Sequence, residues 1–151
     1  MRRTSIVVVD DSVTIRAMIE NMLERDGRIE VSGIAANAED GFDLVEMFEP
    51  DVVTVDINMP GTDGWMLLDR IVAQSHRPVI MLSTLIRDGD PIVDEAIARG
   101  AAACFNKSLI VRETQRFIDM LQALGAPQLI ATLPQAFIAA QAQARATRLT
   151  H

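Results

Sequence analysis

With 151 residues, 49% of them hydrophobic and 23% charged, the chain has apolar material for one globular core and not comfortably for two. No apolar run approaches the roughly 18 residues that cross a bilayer, and Asp10 and Asp11 interrupt the apolar start before a signal-peptide core is complete, so the expectation is a cytoplasmic protein without membrane insertion. The net charge of −7, with every acidic residue in 1–124, argues against a nucleic-acid surface, and a lone cysteine, Cys104, excludes a disulfide framework or a multi-cysteine zinc site.

In chain order, short runs rich in Val, Ile or Ala alternate with amphipathic stretches. Residues 5–9 read as a strand, and 13–25 as a helix with Ile15, Met18, Ile19, Met22 and Leu23 at three-and-four spacing and Ser12 as its cap. Four more pairs follow: strands 30–35, 52–56, 79–83 and 102–106, with helices 38–48, 65–75, 91–99 and 111–123. Asp26-Gly27, Glu49-Pro50, Pro60-Gly61, Asp63-Gly64 and Arg99-Gly100 punctuate the sequence between elements. Strict alternation of this kind predicts an α/β fold, a parallel sheet covered by helices on both faces. The domain is expected over 1–124, and 125–151 reads as a tail that is partly helical after Pro134, with Phe137, Ile138 and Gln141 on one side.

Ligands of such sheets bind beyond the carboxyl ends of the strands, where loops diverge. The notable polar residues stand there: Asp10 and Asp11 after the first strand, Asp56 ending the third, Ser83 the fourth and Lys107 following the fifth. Three crowded carboxylates repel one another and call for a cation. Mg2+ prefers oxygen ligands in an octahedron, which suits Asp11, Asp56 and a backbone carbonyl near Asn58, with Asp10 acting through water. A carboxylate needs no deprotonation to attack phosphorus, so Asp56 suits the nucleophile of an acyl-phosphate reaction. Lys107 would pair with a phosphate oxygen and the Ser83 hydroxyl would donate to another. Lys107 is the only lysine beside thirteen arginines, which points to a position needing a compact ammonium. Taken singly, Asp10-Asp11 reads more readily as a helix-start cap than as chemistry, and Asp56 as a turn residue; their joint placement at strand ends is what favours chemistry.

Four segments carry a family resemblance: VVVDDS (7–12), TVDINMPGTDG (54–64), PVIMLST (78–84) and GAAACFNKS (100–108). Together they resemble bacterial response-regulator receiver domains over about residues 4–124, and look most like the receiver half of chemotaxis methylesterases and their single-domain relatives. The resemblance implies a flavodoxin-like sheet of strand order 2-1-3-4-5. It also implies phosphorylation of Asp56 by a histidine kinase or phosphotransfer protein, and a downstream protein target meeting the fourth helix, fifth strand and fifth helix. By the same likeness Asn58 and Leu85 would tune dephosphorylation.

Two positions depart from the family pattern. Ser108 stands where proline usually follows the lysine, often through a cis bond; a cis bond without proline costs about 3 kcal/mol, so a trans bond or a changed loop is expected. Cys104 stands where an aromatic usually swings inward, and strand alternation aims Phe105 at the other face. Ser83 and residues 84–89 are therefore expected to carry most of the activation change.

Trp65 reads as packing, His76 as a turn residue, and Asp88 and Asp90 as serving the start of the fourth helix. No nucleophile elbow or DNA-reading helix follows residue 124, so the expectation is a signalling switch with no enzyme domain of its own. Its rivals are an interaction module that has lost phosphorylation, the receiver of a longer methylesterase, and an aspartate-based phosphatase. The phosphatase would want its nucleophile on the first strand and an acid two residues on, where Asn58 stands.

Overall fold

The structure is a computed structural model, describing residues 2–59, 63–84, 86–87 and 89–125. Its elements run β1 (Thr4–Val9), α1 (Val13–Asp26), β2 (Ile29–Ala35), α2 (Ala38–Phe48), β3 (Val52–Asp56), α3 (Gly64–Gln74), β4 (Val79–Ser83), α4 (Pro91–Ala98), β5 (Ala103–Asn106), a 3-10 turn (Lys107–Leu109) and α5 (Thr114–Gly125). The five strands form one parallel sheet in the order β2-β1-β3-β4-β5, the flavodoxin-like winding that the resemblance implies. The tail read at 125–151, including its helix after Pro134, falls outside the described residues except for Gly125.

The two-residue period of the strands builds two apolar layers. Val7 and Val9 of β1, Val53 and Val55 of β3, and Val79 and Met81 of β4 face one layer with Phe42, Val45, Leu67, Leu68, Ile71 and Ala96 of α2, α3 and α4. Their neighbours Ile6, Val8, Val52, Ile80 and Leu82 face the other, closed by Ile19 and Leu23 of α1 and Phe117, Ile118 and Leu121 of α5. With both faces covered, β3 and β4 are buried along their whole length, which is why they read as apolar runs. Among the described residues no helix is long and apolar enough to cross a membrane.

Ser12 caps α1 as expected, accepting the Ile15 N–H at 3.3 Å, and Asp90 accepts the Ile92 N–H at the start of α4. The end of β5 differs from the expected pattern. Instead of a helix from residue 111, Asn106 caps a 3-10 turn over Lys107–Leu109, and α5 begins three residues late at Thr114. A stretch of VR and ET with no strong cap offered no local signal for that delay.

Candidate functional site

β1, β3, β4 and β5 bring their carboxyl ends to one edge. Adjacency of β1 and β3, with Val9 paired to Val55, puts Asp10 beside Asp56. Pairing of β4 with β5 sets Ser83 against Asn106, one residue before Lys107. Asp10 and Ser83 are fully buried, Asp56 is 2% exposed, and Asp11 projects to the surface. One carboxylate oxygen from each of Asp10, Asp11 and Asp56 lies within 4.8 Å of the others. The Lys107 ammonium, on a side chain 9% exposed, sits 2.9 Å from Asp10 Oδ2 and 3.1 Å from Asp56 Oδ2.

Two of the three carboxylates also serve a local turn, so the turn reading of Asp56 holds alongside the clustering, whereas the cap of α1 is Ser12 and not the acidic pair. Asp10 Oδ1 accepts the Ser12 N–H at 2.9 Å, and Asp56 Oδ1 accepts the Asn58 N–H at 3.0 Å. The Asn58 carboxamide donates to the Ser83 hydroxyl at 3.3 Å, joining the segment after β3 to the end of β4. Burial pushes the Asp56 carboxyl above its ordinary value; the Asn58 N–H and Lys107 pull it back only in part, and the neighbouring charge of Asp10 adds to the rise. For Lys107 burial alone would lower the value, but the bonds to Asp10 and Asp56 together outweigh it and hold the ammonium above its ordinary range.

Three carboxylates facing one ammonium leave the cluster net anionic. Asp10 Oδ2 is buried and has no hydrogen bond of good geometry among the described residues, although Lys107 pairs with it by charge. An all-oxygen donor set with an under-satisfied buried oxygen fits a small hard cation.

Two residues around the cluster carried no functional signal in the sequence. Arg16, one turn into α1, donates to the Asp10 carbonyl at 2.6 Å and fixes the backbone of the acidic pair. Gly64, read only as punctuation, packs so tightly on β3 that a Cβ there would press on the Asp56 carbonyl oxygen. An arginine six residues after an aspartate and a glycine at a helix start are too common to single out.

The departures also resolve. The Lys107–Ser108 bond is trans, as are all described peptide bonds. Cys104 packs against the α2–α4 layer, and its thiol is pushed up to about 12, by burial first and then by the charge of Asp90. Phe105 turns to the α1–α5 layer and meets Phe117 with ring centroids 5.1 Å apart. Trp65 packs beneath Arg99, whose guanidinium lies 4.9 Å from the ring, and His76 occupies an exposed turn. Leu85 and Asp88 lie outside the described residues.

The fold and site define a doubly wound α/β protein with an acidic, lysine-bearing cluster at the carboxyl edge of its sheet. The chain belongs to the response regulator receiver domain family, whose model matches residues 6–120. It is 43% identical over 101 residues to a protein-glutamate methylesterase/protein-glutamine glutaminase of Oceanobacillus iheyensis, covering 67% of this chain and 29% of that protein. A methylesterase/glutaminase of Caulobacter vibrioides is 37% identical over 123 residues, covering 82% and 36%. Among solved structures, the response regulator domain of Thermotoga maritima CheB superposes with a TM-score of 0.75 at 29% identity, covering 83% of this chain and 98% of that one. The chain thus spans about a third, or less, of the curated relatives it matches. This corrects the expectation of a switch with no enzyme attached: receivers this similar are built into methylesterases, so "not an enzyme" is not a property the residues support.

Proposed function

We propose that the chain is a phosphoacceptor switch in which Asp56 takes a phosphoryl group from the phosphohistidine of a kinase or phosphotransfer protein. The observation that carries this reading is the convergence of Asp10, Asp11, Asp56, Ser83 and Lys107 at one edge of the sheet. An Asp56 carboxylate oxygen attacks phosphorus, the phosphorus–nitrogen bond breaks, and imidazole leaves. Lys107 neutralises a phosphoryl oxygen as it gains charge, and the Ser83 hydroxyl donates to another. Asp10, Asp11 and Asp56, with the Asn58 backbone carbonyl, would hold Mg2+, which when bound supplies charge neutralisation across the transferring group. Asp56 is poised for this because its carboxylate is buried with too few donors for its charge.

The proposed unit is a cytoplasmic receiver over 1–124 followed by a tail. With no aromatic at position 104, the activation change is assigned to Ser83 and the segment after it, leading to a protein target at α4, β5 and α5. The test is Mg2+-dependent labelling with phosphoramidate: wild type should incorporate phosphate and Asp56→Ala should not. Equal labelling of the two would move the acceptor elsewhere. The similarity to methylesterases supports one companion reading, that this receiver regulates a methylesterase; phosphorylation-dependent inhibition or release of such a domain expressed in cis would test it.

A further inference from the structure

Asn106 ends β5, opposite Ser83 in the register and one residue before Lys107. Its carboxamide works at both ends. Oδ1 accepts the Ser108 N–H at 2.9 Å and the Ser108 hydroxyl at 2.5 Å, capping the 3-10 turn that carries the lysine. Nδ2 donates to the Ile86 carbonyl at 2.8 Å, in the segment that follows Ser83. The first arm needs a backbone N–H at position 108, which serine has and proline lacks.

A cavity of about 120 Å³ lies beside this bridge, with Ile86, Cys104, Phe105, Asn106 and Arg116 among its lining residues. The hydrogen bond from Asn106 to Ile86 runs beside this space and ties the segment after Ser83 to the end of β5.

We propose that Asn106 is a positioning residue for the phosphoacceptor site: by bridging the Lys107 turn to the Ile86 carbonyl, it sets the spacing of the two strand ends from which Ser83 and Lys107 meet the phosphoryl group. The proposal rests on the reading of Asp56 as phosphoacceptor. Small displacements of groups that must act together are costly in rate, so loosening one strand end against the other slows transfer without touching the reacting atoms.

The experiment compares three variants by phosphoramidate labelling at saturating Mg2+, with Mg2+ affinity measured by calorimetry. Asn106→Ser keeps an oxygen able to cap the turn but is too short to reach Ile86; Asn106→Ala loses both arms; Ser108→Ala retains the N–H. Asn106→Ser and Asn106→Ala should both label about five- to tenfold more slowly, the equivalent of one hydrogen bond, with the Mg2+ dissociation constant unchanged. Ser108→Ala should label like wild type. Wild-type labelling in Asn106→Ser would overturn the proposal, since Asn106 would then be a turn cap only, and so would a parallel loss of Mg2+ affinity. Should Asn106→Ala not fold, the serine variant carries the test alone. Failure of the underlying reading is told apart because it appears first as equal labelling of wild type and Asp56→Ala, and it overturns both.

Discussion

Asp51 and Asp56 stand at the two ends of β3, five residues apart and in opposite circumstances. At the amino end, Asp51 Oδ2 accepts the Ser5 N–H at 2.9 Å and the Ser5 hydroxyl at 3.3 Å, while Oδ1 meets Arg2 at 2.5 Å. The Asp51 N–H donates back to the Ser5 carbonyl at 2.8 Å, so the two residues clasp β1 to β3. At the carboxyl end, Asp56 has one backbone donor and a lysine that it shares with Asp10. The first carboxylate is matched with donors and the second is not. The same side chain stitches strands where donors surround it, and stays available for chemistry where charge is gathered faster than it is neutralised.

The largest expected effect breaks the second arrangement. Lys107→Ala leaves Asp10 and Asp56 buried without their shared cation, and removing one partner of such a group costs about 3 kcal/mol. Denaturant unfolding at neutral pH without divalent ions should show it. The deficit should shrink on adding Mg2+, and also as pH falls and Asp56 takes up a proton. Asp51→Ala comes next: the Ser5 N–H loses its carboxylate acceptor and the strand clasp is halved, for about 2 kcal/mol with no dependence on Mg2+. Equal Mg2+ responses in the two variants would erase the distinction between the ends of β3.

Asp56→Asn should move stability the other way. Burial and the charge of Asp10 raise the Asp56 carboxyl above its ordinary value, so the folded state binds a proton more readily than the unfolded chain. The sign follows: an ionised Asp56 destabilises the fold at neutral pH, and that penalty fades as pH falls through the raised value toward the ordinary carboxylate range. Asn keeps an acceptor for the Asn58 N–H without the charge. Its thermal midpoint should exceed wild type at neutral pH without Mg2+, and the two should converge on acidification. A lower midpoint for Asp56→Asn at neutral pH would mean that Lys107 outweighs both burial and Asp10.

Much of this was legible in the residues. Doubly covered strands read as apolar runs, so β3 and β4 were placed to the residue, and the strand-end rule then gathered Asp10, Asp56, Ser83 and Lys107. Features that depend on a side chain reaching across the chain were not legible. Asn106 bonds both Ser108 and Ile86, and no local pattern announces a carboxamide with two partners. Gly64 matters because of what it touches, the Asp56 carbonyl, rather than through any preference of its own turn. Arg16 is likewise known only by its partner. Periodicity reports which face is buried; it carries no information about which polar groups meet at the end of a sheet.

The smallest effect sharpens the comparison from the amino end. Arg2 and Lys107 both pair with an aspartate flanking or ending β3, but the Arg2 side chain is 77% exposed and that of Lys107 is 9% exposed. Water screens the first pair and an arginine so exposed gives up rotamer freedom to make it, so Arg2→Ala should change stability by no more than about 0.5 kcal/mol. The Ser5 donors remain in place for Asp51, so no buried charge is left unpaired. Chemical unfolding of wild type and Arg2→Ala at low and high salt provides the check: the small difference should vanish at high salt, where screening has already removed the attraction. A loss approaching that of Asp51→Ala would instead make Arg2 a member of the clasp, and the amino end of β3 would then depend on a charged pair much as the carboxyl end does.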